Sequence, residues 1–234
     1  MQNFIPKAIF SFFILLIITL PSEAQTRVNK NISGFEGIHV SSGIDLYLSQ
    51  TGKESVEIEA DEDILDEVIV EMENDILIIK IERDFLDWFT NSGPIKAFVS
   101  FKELQEIHIS GGSDLEGQGA LKFDKLEMSS SGGSDIKISL TASELHISSS
   151  GGSDAVLAGY AAYFEGSASG GSDIKAKELD TDVANVSSSG GSDVLISVNR
   201  KLVANASGGS DIYYYGNPEE VEKNESGGSD ITKK

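Results

Sequence analysis

Seven aspartates recur at nearly equal spacing in this chain, each at the end of the tetrapeptide Gly-Gly-Ser-Asp. They are Asp114, Asp135, Asp154, Asp173, Asp193, Asp211 and Asp230, at intervals of 21, 19, 19, 20, 18 and 19 residues. Carboxylates repeated in this way could bind a hard cation such as Ca²⁺, which prefers oxygen ligands. The same side chains could instead accept hydrogen bonds from the backbone amides of a turn. Both roles stay open, and the structural role is the one that we favour.

The case for calcium depends on how the aspartates are stacked. In neighbouring rungs about 4.8 Å apart, two carboxylates would repel by roughly 0.9 kcal/mol in water, so a column of them needs amide donors or a cation. Calcium-binding β-rolls use Gly-Gly-x-Gly-x-Asp with a shorter period. This chain lacks the second Gly-x-Asp step and has one such corner per repeat. We therefore predict no cofactor, and calcium at the seven aspartates is kept as the alternative.

A period near 20 residues is typical of repeat proteins in which each repeat forms one layer of a stack. Counted from each aspartate, positions +1 and +3 are mostly apolar, as at Ile136 and Ile138. Positions −9 and −7 are mostly apolar too, as at Leu126 and Met128. This alternation indicates strands with one buried face. Each repeat should therefore contain a strand before the corner and a strand after it, with the variation in length placed in a loop on the far side.

Each corner carries two glycines, which can adopt the positive φ angles of a tight bend at little steric cost. We assign this role to Gly132, Gly133, Gly151, Gly152, Gly170, Gly171, Gly190, Gly191, Gly208 and Gly209. The fold class predicted from these features is all-β, and the architecture is a parallel β-solenoid of about seven coils. Its hand should be right, by the rule for parallel connections.

The N-terminal third departs from this regularity. The segment 41–45 is a weaker copy of the corner, followed by Leu46 and Leu48 at positions +1 and +3. Segments 55–60, 68–72 and 76–81 alternate or run apolar like strands, and 61–67 could form one helical turn. We therefore divide the chain into residues 25–103, a β-rich cap or set of degenerate coils, and residues 104–234, the regular solenoid. In the loop 84–94, Phe85, Trp88 and Phe89 should plug the end of the solenoid rather than form an exposed carbohydrate-stacking patch.

The first 24 residues have the features of a cleaved export signal. Lys7 supplies the positive charge, residues 8–20 are apolar apart from Ser11 and Thr19, and Ser22 and Ala24 are small residues at the positions read by a signal peptidase. The alternative, a membrane anchor, would need about 20 apolar residues. No later stretch is apolar enough to span a membrane, and no cysteine is present for disulfides. The sequence thus predicts an exported protein that is periplasmic, surface-exposed or released.

Composition and the scatter of reactive residues exclude several functions. The net charge is −20 and only three residues are arginine, which argues against nucleic acid and anionic membranes as partners. His39, His108 and His146 lie far apart in sequence, with His108 at position −6 and His146 at −8, both facing outward. A shared metal site is therefore not expected. Catalysis needs a singular cluster of groups, whereas here one aspartate recurs in every coil. We predict that the protein is not an enzyme.

Several segments resemble one known family. The resemblance begins at Phe35-Glu36-Gly37-Ile38 and runs through residues 41–48, the serial Ser-Gly-Gly-Ser-Asp corners, and Tyr215-Gly216-Asn217-Pro218. The family is the putative auto-transporter adhesin, head GIN domain family, found mainly in exported proteins of Bacteroidetes. The resemblance implies a solenoid-like β fold and an envelope or surface setting, and it brings no catalytic residues. The chain departs from it by a further corner at residues 226–231.

The sequence thus predicts a non-enzymatic exported β-solenoid that acts as an adhesion or cell-envelope interaction module. Its partner would be a surface glycan or an envelope protein, and its oligomeric state stays open. The alternative is a calcium-dependent carbohydrate-binding protein that uses the stacked aspartates.

Overall fold

The computed structural model describes residues 25–82 and 93–234 of the chain. Two predictions therefore lie outside the described residues: the export signal at residues 1–24, and the end-plugging role of Phe85, Trp88 and Phe89. The described part contains sixteen strands and one four-residue helix, α1 (Glu62–Leu65), and all of the strands belong to one sheet. The helical turn expected at residues 61–67 is confirmed by α1.

The strands are, in chain order, β1 (Thr26–Lys30), β2 (Gly37–Val40), β3 (Ile44–Gln50), β4 (Ser55–Ala60), β5 (Val68–Glu73), β6 (Ile76–Ile81), β7 (Ile95–Phe101), β8 (Glu106–Ser110), β9 (Leu115–Ser131), β10 (Ile136–Ser150), β11 (Ala155–Ser169), β12 (Ile174–Ser189), β13 (Asp193–Gly208), β14 (Asp211–Tyr215), β15 (Glu220–Gly227) and β16 (Asp230–Lys233).

Strands β9 to β13 form the regular stack. Each of them runs from one Gly-Gly-Ser-Asp corner to the next, and each pairs in parallel with the strand one coil away. Equivalent positions face each other, so that Ile136 of β10 lies opposite Leu115 of β9 and Ala155 of β11. The predicted parallel β-solenoid of about seven turns is confirmed.

The interior of the stack is filled by the positions that alternate in the sequence. Side chains at +1 and +3, such as Ile136 and Ile138, are buried, as are Leu126 and Met128 at −9 and −7. The small residues at −5, among them Ser149 and Ala168, are buried as well. Each rung contributes mainly aliphatic and small side chains to the interior. The buried side chains of successive rungs form one apolar cluster along the whole stack.

The sequence predicts a loop on the far side of each coil, and this is wrong for β9 to β13. These strands continue through the far side, and the differences in coil length are absorbed as shifts of register. One such shift lies between Lys137 and Ser139 in the pairing of β10 with β9, and another between Val156 and Ala158 in the pairing of β11 with β12. Bulges accommodate extra residues while keeping most backbone groups paired, which a loop would not do. In the last coil, residues 216–219 do separate β14 from β15.

The corner glycines adopt positive φ angles with two exceptions. Both glycines do so in the five corners up to Gly191, but in the last two corners only the first glycine does, at Gly208 and Gly227. The prediction of a positive φ at Gly209 is therefore wrong, because the bend there needs a single left-handed residue. The first glycine is also tightly packed: a Cβ on Gly151 would lie 3.2 Å from the backbone nitrogen of Gly132, whereas one on Gly152 would meet nothing within 4 Å.

The N-terminal strands form a coil that is out of chain order. Strand β2 lies between β6 and β8, and β3 lies between β7 and β9, all in parallel. The chain thus completes the coil β2–β3, moves outward to build β4 to β7, and returns to the other side of that coil at β8. Antiparallel strands β5, β4 and β1 cover the outer end. The division near residue 103 falls between β7 and β8 and stays a prediction.

The opposite end of the stack extends past Pro218. Strand β15 pairs with β13, and β16 with β14, so the seventh corner adds one more partial coil. The side chains of β15 are all exposed. Among the described residues, no helix has the length and apolar character needed to cross a membrane.

Candidate functional site

The seven repeated aspartates form one column along the corner edge, linked by a ladder of hydrogen bonds. The backbone N–H of each aspartate donates to Oδ1 of the aspartate one coil earlier. The distances are 2.9 Å for Asp135 to Asp114, 2.9 Å for Asp154 to Asp135, 3.1 Å for Asp173 to Asp154, 3.1 Å for Asp193 to Asp173, 3.0 Å for Asp211 to Asp193 and 3.1 Å for Asp230 to Asp211. Each carboxylate except that of Asp230 therefore accepts a hydrogen bond from a backbone donor at the next bend.

The ladder is the arrangement expected of the structural role. It uses Oδ1 of the aspartates from Asp114 to Asp211 as acceptors, so that the Oδ2 atoms are the oxygens most available to a cation. Two of these are occupied by a lysine: Nζ of Lys175 lies 2.6 Å from Oδ2 of Asp154 and 3.5 Å from Oδ2 of Asp173. The bond with Asp154 raises the pKa of Lys175, with a smaller contribution from Asp173. Calcium binding by the column stays a prediction.

Asp45 extends the column by one coil towards the N-terminus. Burial raises the pKa of its carboxyl group, and the nearby charge of Asp114 raises it further. Lys96 and the backbone N–H of Asp114 act in the opposite direction. The weaker copy of the corner at residues 41–45 thus places an aspartate in the same column as the regular repeats.

The serines of the corners are buried and complete the bend. Oγ of Ser134 accepts hydrogen bonds from the backbone N–H groups of Gly112 and Ser113, and Oγ of Ser172 does the same for Gly152 and Ser153. From Ser192 onward the hydroxyl bonds to its own corner as well. Buried polar groups are stable when paired in this way, so the serine is a structural part of each corner.

A shallow groove of about 350 Å³ runs beside the N-terminal half of the column. We call it the corner groove. Its outward-facing lining consists of Asp45, Tyr47, Asp114, Glu116, Asp135, Lys137, Asp154 and Val156. Tyr47 stacks on Phe98 with ring centroids 5.0 Å apart, and the guanidinium of Arg27 lies 3.8 Å from the centroid of Phe98. Val156 is 43% exposed. The groove thus combines carboxylates with one lysine and a small apolar surface.

A second cluster lies on another face, on the strands that lead into the corners. Oε1 of Glu106 is 2.7 Å from Nε2 of His39 and 2.7 Å from Nε2 of His108. The two imidazole rings meet edge to face, with centroids 4.4 Å apart. The bond from His39, together with the nearby His108, lowers the pKa of Glu106 against the opposing effect of burial. We call these three residues the histidine cluster.

The parallel register creates this cluster. His39 of β2 lies directly opposite His108 of β8, and Glu106 shares a face with His108 because side chains alternate along a strand. The residues beside the histidines, Ile38 and Val40, and Ile107 and Ile109, are all buried. Each histidine is therefore held by a backbone whose neighbouring side chains are anchored in the core.

The expectation that the histidines are scattered is wrong for His39 and His108. Both stand six residues before a corner aspartate, Asp45 and Asp114 respectively. This shared position was the available signal, but the separation of 69 positions between those aspartates gave no indication that the two coils are neighbours. His146 lies on the same outward face: it is opposite Glu127, which in turn is opposite Glu106. Its own partners are Glu144 and Glu165.

Comparison with known proteins identifies the family. The family described as "Putative auto-transporter adhesin, head GIN domain" matches residues 34–218, and the chain belongs to it. The resemblance noted from the corner motifs is thereby confirmed. A search of the curated proteins finds no match.

Several solved structures share the fold. A putative adhesin from Bacteroides fragilis has a TM-score of 0.84 at 22% identity, covering 92% of this chain and 99% of its own. A putative adhesin from Parabacteroides merdae has a TM-score of 0.73 at 18% identity, covering 90% and 96%. A protein described as a putative lipid binding protein from Parabacteroides distasonis has a TM-score of 0.71 at 19% identity, covering 90% and 97%.

Proposed function

We propose that this protein is a non-enzymatic, exported adhesin-type module that recognises a surface glycan through the corner groove. An adhesin-like role with a surface partner is supported by the family and by the names of the proteins that share the fold. The same membership supports an exported or cell-surface setting. The choice of surface and of ligand class is ours, and it rests on the chemistry of the groove.

The corner groove is rich in hydrogen-bond acceptors. An ionised carboxylate accepts hydrogen bonds and donates none, and the ladder occupies only Oδ1 of Asp114 and Asp135. A ligand that presents many hydroxyl donors and little negative charge matches this surface, and a neutral glycan has those properties. An anionic ligand would be repelled by a chain of net charge −20.

The apolar residues of the groove strengthen the case. Binding sites for small ligands and sugars combine aromatic or aliphatic surface with a few polar groups that fix orientation. Tyr47, supported from behind by its stack on Phe98, and the exposed Val156 supply such surface beside the carboxylates. This combination of a supported aromatic ring with accessible acceptors is the single observation that carries the proposal.

Calcium-dependent binding is the second candidate. It would use the second oxygens of the aspartates, of which those of Asp154 and Asp173 lie near Lys175. The test is a glycan array probed with the purified protein, once with millimolar calcium and once with a chelator. Binding that is equal in both conditions supports the direct mode, whereas binding that needs calcium supports the second candidate.

Variants locate the binding surface. Tyr47→Ala and Val156→Glu should each weaken glycan binding by at least about tenfold, as expected when a central contact of a binding site is lost. The matched control is Tyr160→Ala, since Tyr160 is an exposed tyrosine outside the groove lining. Equal binding by all three variants, or no binding to any glycan alongside binding to an envelope protein, would contradict the proposal.

A further inference from the structure

We infer that the histidine cluster, His39, Glu106 and His108, is a binding site for a divalent transition metal, with Zn²⁺ as the best match. One ligand atom from each of the three residues lies within 4.8 Å of the others. The site shares no lining residue with the corner groove, so this inference is independent of the proposed function.

The donor set selects the metal. Two imidazole nitrogens and one carboxylate oxygen form the kind of mixed set that binds Zn²⁺, whereas Ca²⁺ takes six to eight oxygen ligands. Imidazole also suits copper and nickel, so the selection is for this group of metals over calcium and magnesium. The cluster therefore differs in chemistry from the aspartate column, which offers oxygen alone.

The geometry needs little rearrangement to accept a metal. The nitrogen–oxygen distances of 2.7 Å are hydrogen bonds in which Glu106 accepts from both rings. Zinc bonds to histidine and carboxylate of about 2.0–2.2 Å in a tetrahedral site place neighbouring ligand atoms roughly 3.3 Å apart. Oε1 of Glu106 would have to move about half an ångström away from each Nε2 atom. To free its Nε2 for the metal, a neutral ring would carry its proton on Nδ1 instead, and a doubly protonated ring would release one proton to solvent.

The surroundings of the cluster resemble the support that metal sites have. Nδ1 of His108 is hydrogen-bonded to Oγ of Ser129 on the next coil. In the tautomer with the proton on Nδ1, the ring donates this bond to Oγ, which holds the ring in place with Nε2 free to bind the metal. The Cα positions are fixed by the buried neighbours in β2 and β8, and rigid strands hold metal ligands better than loops do.

The site is open on one side. The side chains of His39, Glu106 and His108 are 35%, 35% and 40% exposed. His39 and His108 also line a groove of about 400 Å³. Three protein ligands leave one position of a tetrahedral zinc ion unfilled. That position is accessible to water or to a donor atom from a bound partner.

The test is isothermal titration calorimetry of the purified, tag-free protein with ZnCl₂ alone. We expect one site per chain with a micromolar or tighter Kd. Changing a ligand, as in His39→Gln, His108→Gln or Glu106→Gln, should weaken binding at least about tenfold, since even partners of ligands commonly contribute that much. Ser129→Ala should weaken it less than these changes do. With Co²⁺ in place of zinc, a visible absorption band of a tetrahedral site should appear and be lost in the same variants.

The matched control is His146→Gln. His146 has the same outward orientation and carboxylate neighbours, yet it lies outside the cluster. Binding should be unchanged in this variant. Absence of saturable heat, or an equal loss in His146→Gln, would overturn the inference, as would a Kd unchanged in Glu106→Gln. Circular dichroism of each variant ensures that a loss of binding is not a loss of fold.

Discussion

The aspartate column and the histidine cluster are both built from outward-facing side chains on stacked coils, but they differ in how often they occur. The column repeats at every corner, and each member bonds a backbone amide of the next coil. The cluster occurs at one level, where β2 and β8 meet, and its members bond each other. A feature that recurs in every layer serves the stack, whereas a feature confined to one layer is available for chemistry.

The two regions also differ in what their removal would expose. At the corner, a lost side chain leaves a backbone donor without its acceptor at a bend that every coil needs. At the cluster, removal of one side chain leaves its partner without a hydrogen bond, but that partner is half-exposed and can bond to water instead. We therefore expect changes at the corners to lower stability, and changes at the cluster to lower binding while leaving stability nearly intact.

The largest effect should come from the first glycine of a corner. Gly151→Ala would place a Cβ 3.2 Å from the nitrogen of Gly132, at a φ of 70° that alanine disfavours. Gly152→Ala has the same problem of conformation, with a φ of 80°, but no close contact within 4 Å. The conformational cost is about 1–2 kcal/mol for either change, and Gly151→Ala should exceed it.

Thermal unfolding measures this pair. Since 1 kcal/mol corresponds to roughly 2–4 °C in Tm for a protein of this size, Gly152→Ala should lower Tm by a few degrees and Gly151→Ala by clearly more. If both variants lose the same amount, the close approach of neighbouring coils contributes nothing at the corner.

The second effect concerns the ladder itself. Asp193→Ala removes the acceptor of the backbone N–H of Asp211, a partly buried bond of 3.0 Å. The cost should be about 1–3 kcal/mol, the range for leaving a donor unpaired. Asp193→Asn keeps an oxygen in place and should lose little. Urea denaturation measures the free energy of unfolding of both variants. Equal losses would show that the charge of Asp193, rather than its hydrogen bond to the amide, stabilises the column.

The third prediction is the counterpart of the Asp193 variants at the histidine cluster, where we expect only a small change in the free energy of unfolding. The double change His39→Gln and His108→Gln should alter the free energy of unfolding by no more than about 0.5 kcal/mol, as is usual for surface positions. Urea denaturation without added metal provides the measurement. A loss as large as that of Asp193→Ala would mean that the cluster is part of the architecture, and the contrast between the two regions would disappear.

The regular half of the molecule could be predicted from the sequence because its period is carried by apolar residues that pack in the core and by glycines that allow the bend at each corner. Ile136, Leu126 and the glycines of the first five corners follow directly from alternation and from the need for positive φ. The path of the chain between β3 and β8 could not be predicted, because the coil β2–β3 receives a neighbour from either side and nothing local specifies which strand returns to it. The histidine cluster depends on that return, so it was missed although the positions of His39 and His108 relative to their aspartates are equal.

The smallest effect is expected at the N-terminal end of the aspartate column, where the regular corners meet the N-terminal strands. Burial and the charge of Asp114 raise the pKa of Asp45 above its ordinary value of 3.8, so the fold disfavours its ionised form. The stability associated with this residue is complete below pH 3.8 and is lost as the pH rises through the raised value. Asp45→Asn removes this loss while retaining an oxygen that can accept the N–H of Asp114. The variant should therefore melt higher than the natural protein at pH 7, by on the order of 1 °C, and the gain should vanish towards pH 3.5. A lower Tm for the variant at pH 7 would show that the charge of Asp45 stabilises the column, as it would if Lys96 and the amide of Asp114 outweighed burial.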